Sequence, residues 1–334
     1  MNNFIYHYQH LPFWINPTIF SLGNFRIDWY PLMYLVGSLV VYLLLMYRIK
    51  RAELGPEEIT NYKLLASIRQ DVSSSRSGQI TNKAQNQKIQ IKKNYQELIF
   101  NLLVYSFLGL ILGARLGFVL FYDFSYYLNN PGAIISPFDP ISGNFVGIYG
   151  MSYHGGLLGV ILSAGIFFKK NKKYFRANFL ELADFVVPAI PAGYFFGRMG
   201  NFLNGELYGR VTQNFWGMYF PADYLGVLRH PSQLYEAFLE GIILFLILWF
   251  LRNKKELKNK FLGLYFIGYA FFRIAVEFFR EPDEQIGYIF NFLTLGQMLS
   301  LAMLMAGIIL IFLGQKTKEC YNKDNGKTQE TKID

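Results

Sequence analysis

Tyr269, Arg273, Glu277 and Arg280 follow one another at spacings of four, four and three inside an otherwise apolar stretch. On an α-helix those intervals place all four on one face, while Phe, Ile and Val cover the rest. A charged side chain inside a membrane span costs about 2.5–3.5 kcal/mol on insertion scales, so the group needs a reason to exist. One reading is an interhelical Arg–Glu pair that ties a bundle together. The other is a polar groove for an anionic ligand. Two arginines against one glutamate leave a positive surplus, which favours the groove. Arg115, in GARLGF, is a further cation within an apolar segment.

Other unusual polar residues stand at the ends of apolar blocks. His154 opens YHGGLLG and is expected at a helix N-terminus. There the helix dipole disfavours imidazolium and keeps the ring neutral, as a general base requires. The adjacent Gly155 and Gly156 let another group approach the backbone closely. GRMGNFLNGELYGR carries Arg198, Asn201, Asn204 and Glu206 among Gly197, Gly200, Gly205 and Gly209. Turns at those glycines would aim the polar side chains inward together. RHPSQLYEA adds His230, Gln233, Tyr235 and Glu236, and Tyr30 lies in DWYPLMY. For Tyr30 the plain alternative is the aromatic belt found at any membrane interface.

Arginines at headgroup depth suit a phosphate, which they grip with a bidentate fork. A neutral His nearby can take a proton from a nucleophile. The chain has no GxxxxGK[ST] or GxGxxG nucleotide motif, no HExxH zinc motif and no GxSxG elbow. The expected anionic partner is therefore a membrane lipid rather than a nucleotide, with no metal and no cofactor. Cys320 is the only cysteine, which excludes an internal disulfide and a Cys-based metal site.

These residues must be positioned by membrane-spanning helices. The chain is 52% hydrophobic and only 16% charged, against about 25% charged in soluble domains. Its apolar residues come in blocks near 29–47, 98–122, 153–168, 179–199, 235–251, 261–279 and 292–313. The fourth block also holds Glu181, Asp184, Pro188 and Pro191. Of the 32 Lys and Arg, 25 fall in alternate loops, at 48–97, 169–178, 252–260 and 314–334. That asymmetry predicts an all-α, polytopic fold of about seven transmembrane helices, N-out and C-in, with a small outer-face head segment. It also accounts for the net charge of +9 without nucleic acid.

The segment 51–95 is polar and weakly patterned, and reads as a mobile cytoplasmic loop with one short helix near 57–68. Residues 314–334 read as a basic cytoplasmic tail. No cleavable signal peptide is evident in the aromatic first 28 residues. Apart from the loop and tail, residues 1–334 are expected to form a single integral membrane catalytic domain. On this topology each unusual polar residue falls at the outer end of its span.

The GRMGNFLNGELYG segment resembles the signature of the bacterial prolipoprotein diacylglyceryl transferases. SYHGGLLG, RHPSQLYE, GARLGFVLFY and GYAFFRIAVEFFREPD are similar to that family's other blocks, in the family's order. The resemblance spans nearly everything from Tyr30 to about residue 313, excluding the polar loop.

It implies a bacterial inner-membrane enzyme with its active site toward the outer face. Such an enzyme moves the diacylglyceryl group of phosphatidylglycerol to the lipobox cysteine thiol of a prolipoprotein, forming a thioether and releasing glycerol phosphate. By position, His154, Arg198, Asn201, Gly209, Tyr30, Tyr269 and Arg273 match residues the family needs, with Arg198 as the phospholipid-binding arginine. The candidate catalytic set is then His154, Arg198, Arg273, Tyr30 and Tyr269. Phosphatidylglycerol would meet Arg198, Asn201, Glu206, Gly209, Arg115 and Arg280, with Asn204, Gln233, Tyr235, Glu236 and Glu277 in support.

The residues leave two assignments open for the thiol proton. Either His154 removes it while Arg198 and Arg273 hold the phosphate, or an arginine lowers the thiol pKa and His154 positions substrate. A lipid or peptide transporter using the same groove is the alternative of a different class. It predicts polar residues through the full membrane depth, whereas here they gather in the outer half. A purely structural scaffold gives no reason for an arginine-rich groove beside a His.

Overall fold

The computed structural model describes residues 3–22, 25–51, 77–121, 124–136, 152–172, 179–281, 288–289 and 293–330; within these, the side chains of 25, 77–95, 121, 153–154, 288–289, 295 and 316–330 are outside the description. The first elements are α1 (Asn3–Gln9), α2 (Leu11–Trp14), a hairpin of β1 (Thr18–Leu22) with β2 (Phe25–Asp28), and α3 (Trp29–Lys50). Next come α4 (Ser77–Phe121), α5 (Phe124–Asn129), α6 (Tyr153–Asn171), α7 (Phe179–Val186) and α8 (Ile190–Leu203). Then follow α9 (Ser232–Glu236), a π-helical turn (Ala237–Ile243), α10 (Leu244–Leu251) and α11 (Phe261–Glu277). A short antiparallel pair, β3 (Tyr288–Ile289) and β4 (Leu293–Thr294), leads into α12 (Leu295–Glu330).

The described residues are mostly helical, and five stretches among them are long and apolar enough to cross a membrane. These are Trp29–Lys50, Gln96–Leu120, Phe179–Leu203, Ser232–Leu251 and Gly296–Gln315. The two other expected spans form helices that fall short of that description. α6 begins on Tyr153 and His154 and ends on Lys169, Lys170 and Asn171, so its apolar part is confined to 155–168. α11 has 17 residues, fewer than the roughly 20 a bilayer core requires, and carries Arg273 and Glu277.

Two expectations about polar segments change. The stretch 77–95, read as loop, continues the following span as one 45-residue helix. Elongating an existing helix costs little once its apolar part has nucleated it, and the Gln, Lys and Ala of this stretch are good helix formers. The tail behaves likewise, since α12 continues to Glu330. The short helix expected near 57–68 lies outside the described residues.

The chain divides into two compact units, one of residues 1–20, 26–44 and 179–334, the other of 21–25 and 45–178. In the second, α4 and α6 touch backbone to backbone: a Cβ at Gly159 would lie 2.0 Å from the carbonyl oxygen of Gly109, and one at Gly155 2.3 Å from that of Gly113. Small residues at such crossings let membrane helices gain dispersion contact that lipid cannot supply. The group that approaches Gly155 is thus the neighbouring helix.

In the first unit, α3 meets α8 at Gly37 and Gly193, and α11 meets α12 at Gly263 and Gly307. A 3-10 turn at Val187–Ala189 absorbs Pro188 and joins α7 to α8. The acids of that span also find partners. Asp184 Oδ1 accepts Phe261 N–H at 3.0 Å, its other oxygen accepts Asn259 N–H, and Glu181 lies 3.2 Å from Lys258 Nζ. Asp184 therefore serves backbone donors at the start of α11 that would otherwise be orphaned.

Candidate functional site

The site is built from three helical segments of the first unit. α8 presents Tyr194, Arg198 and Asn201, at intervals that keep them on neighbouring faces. The α9–π–α10 rod presents Glu236 and Glu240, and the π turn between them widens the helix where Glu240 sits. α11 presents Tyr269, Arg273 and Glu277 and stops there. Arg280 follows in a turn whose backbone N–H reaches Val276 O at 3.1 Å, so it joins the group from beyond the helix.

Glu236 is the hub, with its side chain 1% exposed. Its Oε2 lies 2.6 Å from Arg198 Nε, and its Oε1 lies 2.8 Å from Arg273 Nη1 and 2.9 Å from Arg280 Nη1. Three guanidiniums from two different helical segments and one turn thus converge on one buried carboxylate. Arg273 Nη2 also lies 3.0 Å from Glu277 Oε2, while Glu277 Oε1 accepts from Thr294 Oγ1 at 2.9 Å. Glu240 is wholly buried, and its Oε2 accepts a hydrogen bond from the Tyr194 hydroxyl at 2.5 Å. Arg198, Arg273 and Arg280 pair with two acids, Glu236 and Glu277, so the ion pairs still leave one positive charge over, although the neighbouring rod supplies Glu236, which α11 alone did not show.

A polar chain leads outward from this hub. Arg198 Nη1 donates to Asn201 Oδ1 at 3.0 Å, and Asn201 Nδ2 donates to Glu206 Oε1 at 2.9 Å. Gln233 Nε2 holds the backbone oxygen of Glu206 at 2.6 Å, and Ser232 Oγ holds that of Leu207 at 3.0 Å. Gly205 and Leu207 have φ of 68° and 58°, so the chain reverses sharply after α8. Asn204 terminates α8, its N–H reaching Gly200 O at 3.0 Å. Tyr30 lies against Gly200, and its hydroxyl is 3.0 Å from that of Tyr34. Tyr269 stands edge-on to Tyr194, with hydroxyls 3.4 Å apart.

Above this chain sits the head. Gly209 N–H donates to His230 O at 2.8 Å, and Arg210 N–H to Phe279 O at 2.9 Å, which ties residues 209–211 to the turn bearing Arg280. A Cβ at Gly209 would lie 2.2 Å from Phe279 O, so only glycine fits there without a shift. Phe202, Met218 and Phe220 form the head's small core. α1 docks on it through Tyr8 Oη to Trp216 O and Gln9 Nε2 to Phe215 O, at 3.0 and 3.2 Å.

Arg229 forms a buried fork with Asp223, 3.0 Å on each arm, and also reaches Glu281 at 3.1 Å. Burial raises the Asp223 carboxyl, but hydrogen bonds from Arg229 and from Leu225 and Val227 N–H, with the Arg229 charge, reverse this and hold it below the ordinary carboxylate value. Burial alone lowers the His230 imidazole, which favours its neutral form. Its Nδ1 lies 3.1 Å from Tyr235 Oη.

The structure thus gathers Tyr30, Arg198, Asn201, Asn204, Glu206, Gly209, Gln233, Tyr235, Glu236, Tyr269, Arg273, Glu277 and Arg280 in one unit. Arg115 and His154 belong to the other. Arg115 is buried, donates to the backbone oxygens of Ile134 and Ala133 at 2.8 and 2.7 Å, and lies over the Tyr127 ring. His154 is the second residue of α6, whose N-cap Ser152 accepts Gly155 N–H at 3.3 Å, as an N-terminal position requires; its side chain lies outside the described residues. Sequence reasoning passed over Tyr194 and Glu240. Glu240 had a legible signal, being an acid in an apolar span four residues after Glu236.

A family model described as prolipoprotein diacylglyceryl transferase matches residues 73–313. Across 330 residues, 98% of this chain and all of the relative, the sequence is 40% identical to the phosphatidylglycerol--prolipoprotein diacylglyceryl transferase of Chlorobaculum tepidum. Proteins of the same name from Rickettsia bellii and Legionella pneumophila are 42% and 40% identical over 89% of this chain, covering 94% and 96% of their own lengths.

Proposed function

Because this chain belongs to the prolipoprotein diacylglyceryl transferase family, we propose that it carries the diacylglyceryl group of phosphatidylglycerol to the lipobox cysteine thiol of a prolipoprotein. The observation that carries this reading is the convergence of Arg198, Arg273 and Arg280 on the buried Glu236 at the end of apolar helices. A phosphodiester headgroup offers the same kind of anionic oxygens that Glu236 offers, and guanidinium forks match them in geometry.

In the transfer, the cysteine sulfur attacks the glyceryl carbon next to the phosphate. A carbon–sulfur bond forms as the carbon–oxygen bond to phosphate breaks. The phosphate oxygen leaves with the electron pair, and growing charge on it calls for fixed donors already aimed at it. The buried guanidiniums fit that need, with Asn201 holding Arg198 and Glu206 holding Asn201 in turn. The thiol proton goes to His154, or else an arginine favours thiolate formation, the proton passes to water and His154 positions substrate; the released glycerol phosphate completes the balance.

The same reading includes the topology. Seven spans, N-out and C-in, are supported by the 25 of 32 Lys and Arg that lie in alternate loops. On that topology the arginine cluster belongs to the outer leaflet of a bacterial cytoplasmic membrane, where a secreted prolipoprotein presents its lipobox. Arg115 is assigned to phosphatidylglycerol only by sequence position, and its backbone partners favour a role in holding residues 133–134.

The test is incubation of the purified protein with phosphatidylglycerol labelled in its acyl chains and a lipobox peptide. Label on the peptide cysteine, absent when that cysteine is replaced by serine, is the expected result. A folded protein that leaves the peptide unlabelled, or that moves labelled lipid across vesicles instead, overturns the reading.

A further inference from the structure

We propose that Tyr194 and Glu240 form a positioning pair for Arg198, in which Glu240 fixes the direction of the Tyr194 hydroxyl and that hydroxyl holds the guanidinium edge. The inference rests on the function proposed above and adds two residues that the reading of the sequence passed over.

Glu240 is an unusual residue to keep. It is wholly buried in an apolar rod, and the charges of Arg273 and Arg198 act on it without forming an ion pair with it. Its Oε1 has no hydrogen-bond partner among the described residues. A buried carboxyl so poorly served is expensive, and an apolar side chain would be the cheaper occupant. The one polar contact it does make is with the Tyr194 hydroxyl.

That contact decides what Tyr194 can do. A phenol has one proton to donate and lone pairs to receive. Tyr194 Oη is 2.5 Å from Glu240 Oε2 but 3.4 Å from Glu236 Oε2 and from Tyr269 Oη, so its proton is committed to Glu240. The lone pairs are then left to accept Arg198 Nε–H at 2.8 Å. The guanidinium carbon also lies 4.9 Å from the centre of the Tyr194 ring. Arg198 is therefore gripped along its Nε edge by Tyr194 together with Glu236 Oε2, 2.6 Å from the same nitrogen, and at Nη1 by Asn201, while Nη2 has no hydrogen-bond partner among the described residues. Holding two corners of the fork aims the third, which is how a guanidinium would be presented to a headgroup phosphate. A misplacement of about 1 Å at such a group can cost on the order of 100-fold in rate.

The experiment compares Tyr194→Phe, Glu240→Leu, Glu240→Gln and the double variant Tyr194→Phe/Glu240→Leu, each purified as the full chain. Two readouts are taken: KM and kcat for transfer from phosphatidylglycerol, and calorimetric affinity for glycerol phosphate. Tyr194→Phe and Glu240→Leu are each expected to weaken glycerol phosphate binding and raise KM by roughly 10-fold, with the double variant no worse than either alone, because the two act through one interaction. Glu240→Gln keeps an acceptor for the phenol proton and is expected to recover most of the loss. Thermal stability of Glu240→Leu is expected to hold or rise, which separates positioning from folding. Additive effects, a Glu240→Gln variant as impaired as Glu240→Leu, or unaltered glycerol phosphate affinity in all variants would each overturn the proposal. A wild-type chain that binds glycerol phosphate in this pattern yet transfers nothing leaves the positioning pair standing and removes the transferase reading. One that transfers while the variants behave additively does the reverse.

Discussion

Replacing Glu236 with Gln should expose how the arginine cluster is held. The substitution preserves shape and removes one charge at a place where the side chain is 1% exposed and three guanidiniums approach to 2.6, 2.8 and 2.9 Å. At an effective dielectric of about 20, a single ion pair at about 4 Å is worth about 4 kcal/mol before desolvation is subtracted. Breaking a buried pair by removing one partner nets about 3–5 kcal/mol, since the other charge is left uncompensated. Here the uncompensated charges also repel one another, because Arg273 and Arg280 share a single oxygen of Glu236. The expected loss is therefore about 3–5 kcal/mol, or roughly 4–7 °C in melting temperature for a chain of this size. The measurement is thermal denaturation of the detergent-solubilised protein at a fixed scan rate. The same reasoning requires that removing one of the three cations relieve the excess. Glu236→Gln/Arg280→Gln should lose less than the sum of the two single losses, by about 1–3 kcal/mol. A Glu236→Gln protein that loses under about 1 kcal/mol, or a double variant equal to the sum of the singles, would refute the account of Glu236 as the counter-charge of the cluster.

Gly209→Ala should lose most activity and about 1–3 kcal/mol of stability, because the new Cβ lies 2.2 Å from Phe279 O and displaces the turn that carries Arg280; an active enzyme with unshifted melting would count against that link. Asp223 titrates below its unfolded value, so its contribution is fully present above about pH 4 and is lost as pH falls through the lower folded value. Acid titrations of wild type and Asp223→Asn should therefore differ at neutral pH and converge in strong acid, and a constant gap would contradict the assignment. His154→Gln should lower the rate by about 100-fold or more and flatten the acidic limb of the pH–rate profile if His154 takes the thiol proton. Substantial activity with the wild-type pH dependence would leave His154 only the positioning role.

Much of the site was legible in local order along the chain. Arg198, Asn201 and Glu206 fall within one helix end and its turn, so a short motif is enough to place them together. The spacing of Tyr269, Arg273 and Glu277 likewise puts them on a common face of α11, since helical periodicity belongs to the backbone and not to its surroundings. Residue composition and the distribution of Lys and Arg declared a membrane protein, because the bilayer selects for long apolar blocks wherever they occur.

What the sequence did not determine was which faces meet. Glu236 reaches Arg198, Arg273 and Arg280 only because the rod of α9–α10 packs between segments far away along the chain, and that pairing supplies a shared counter-charge that the α11 pattern did not show. Tyr194 became a holder of Arg198 through Glu240, 46 residues distant. Arg115, a cation of the same type in an equally apolar span, was instead turned to the carbonyl oxygens of residues 133 and 134. Periodicity and hydropathy specify the side of a helix and its depth, both local quantities. The charge balance of a buried cluster depends on contacts between helices, and those exist only in the tertiary structure.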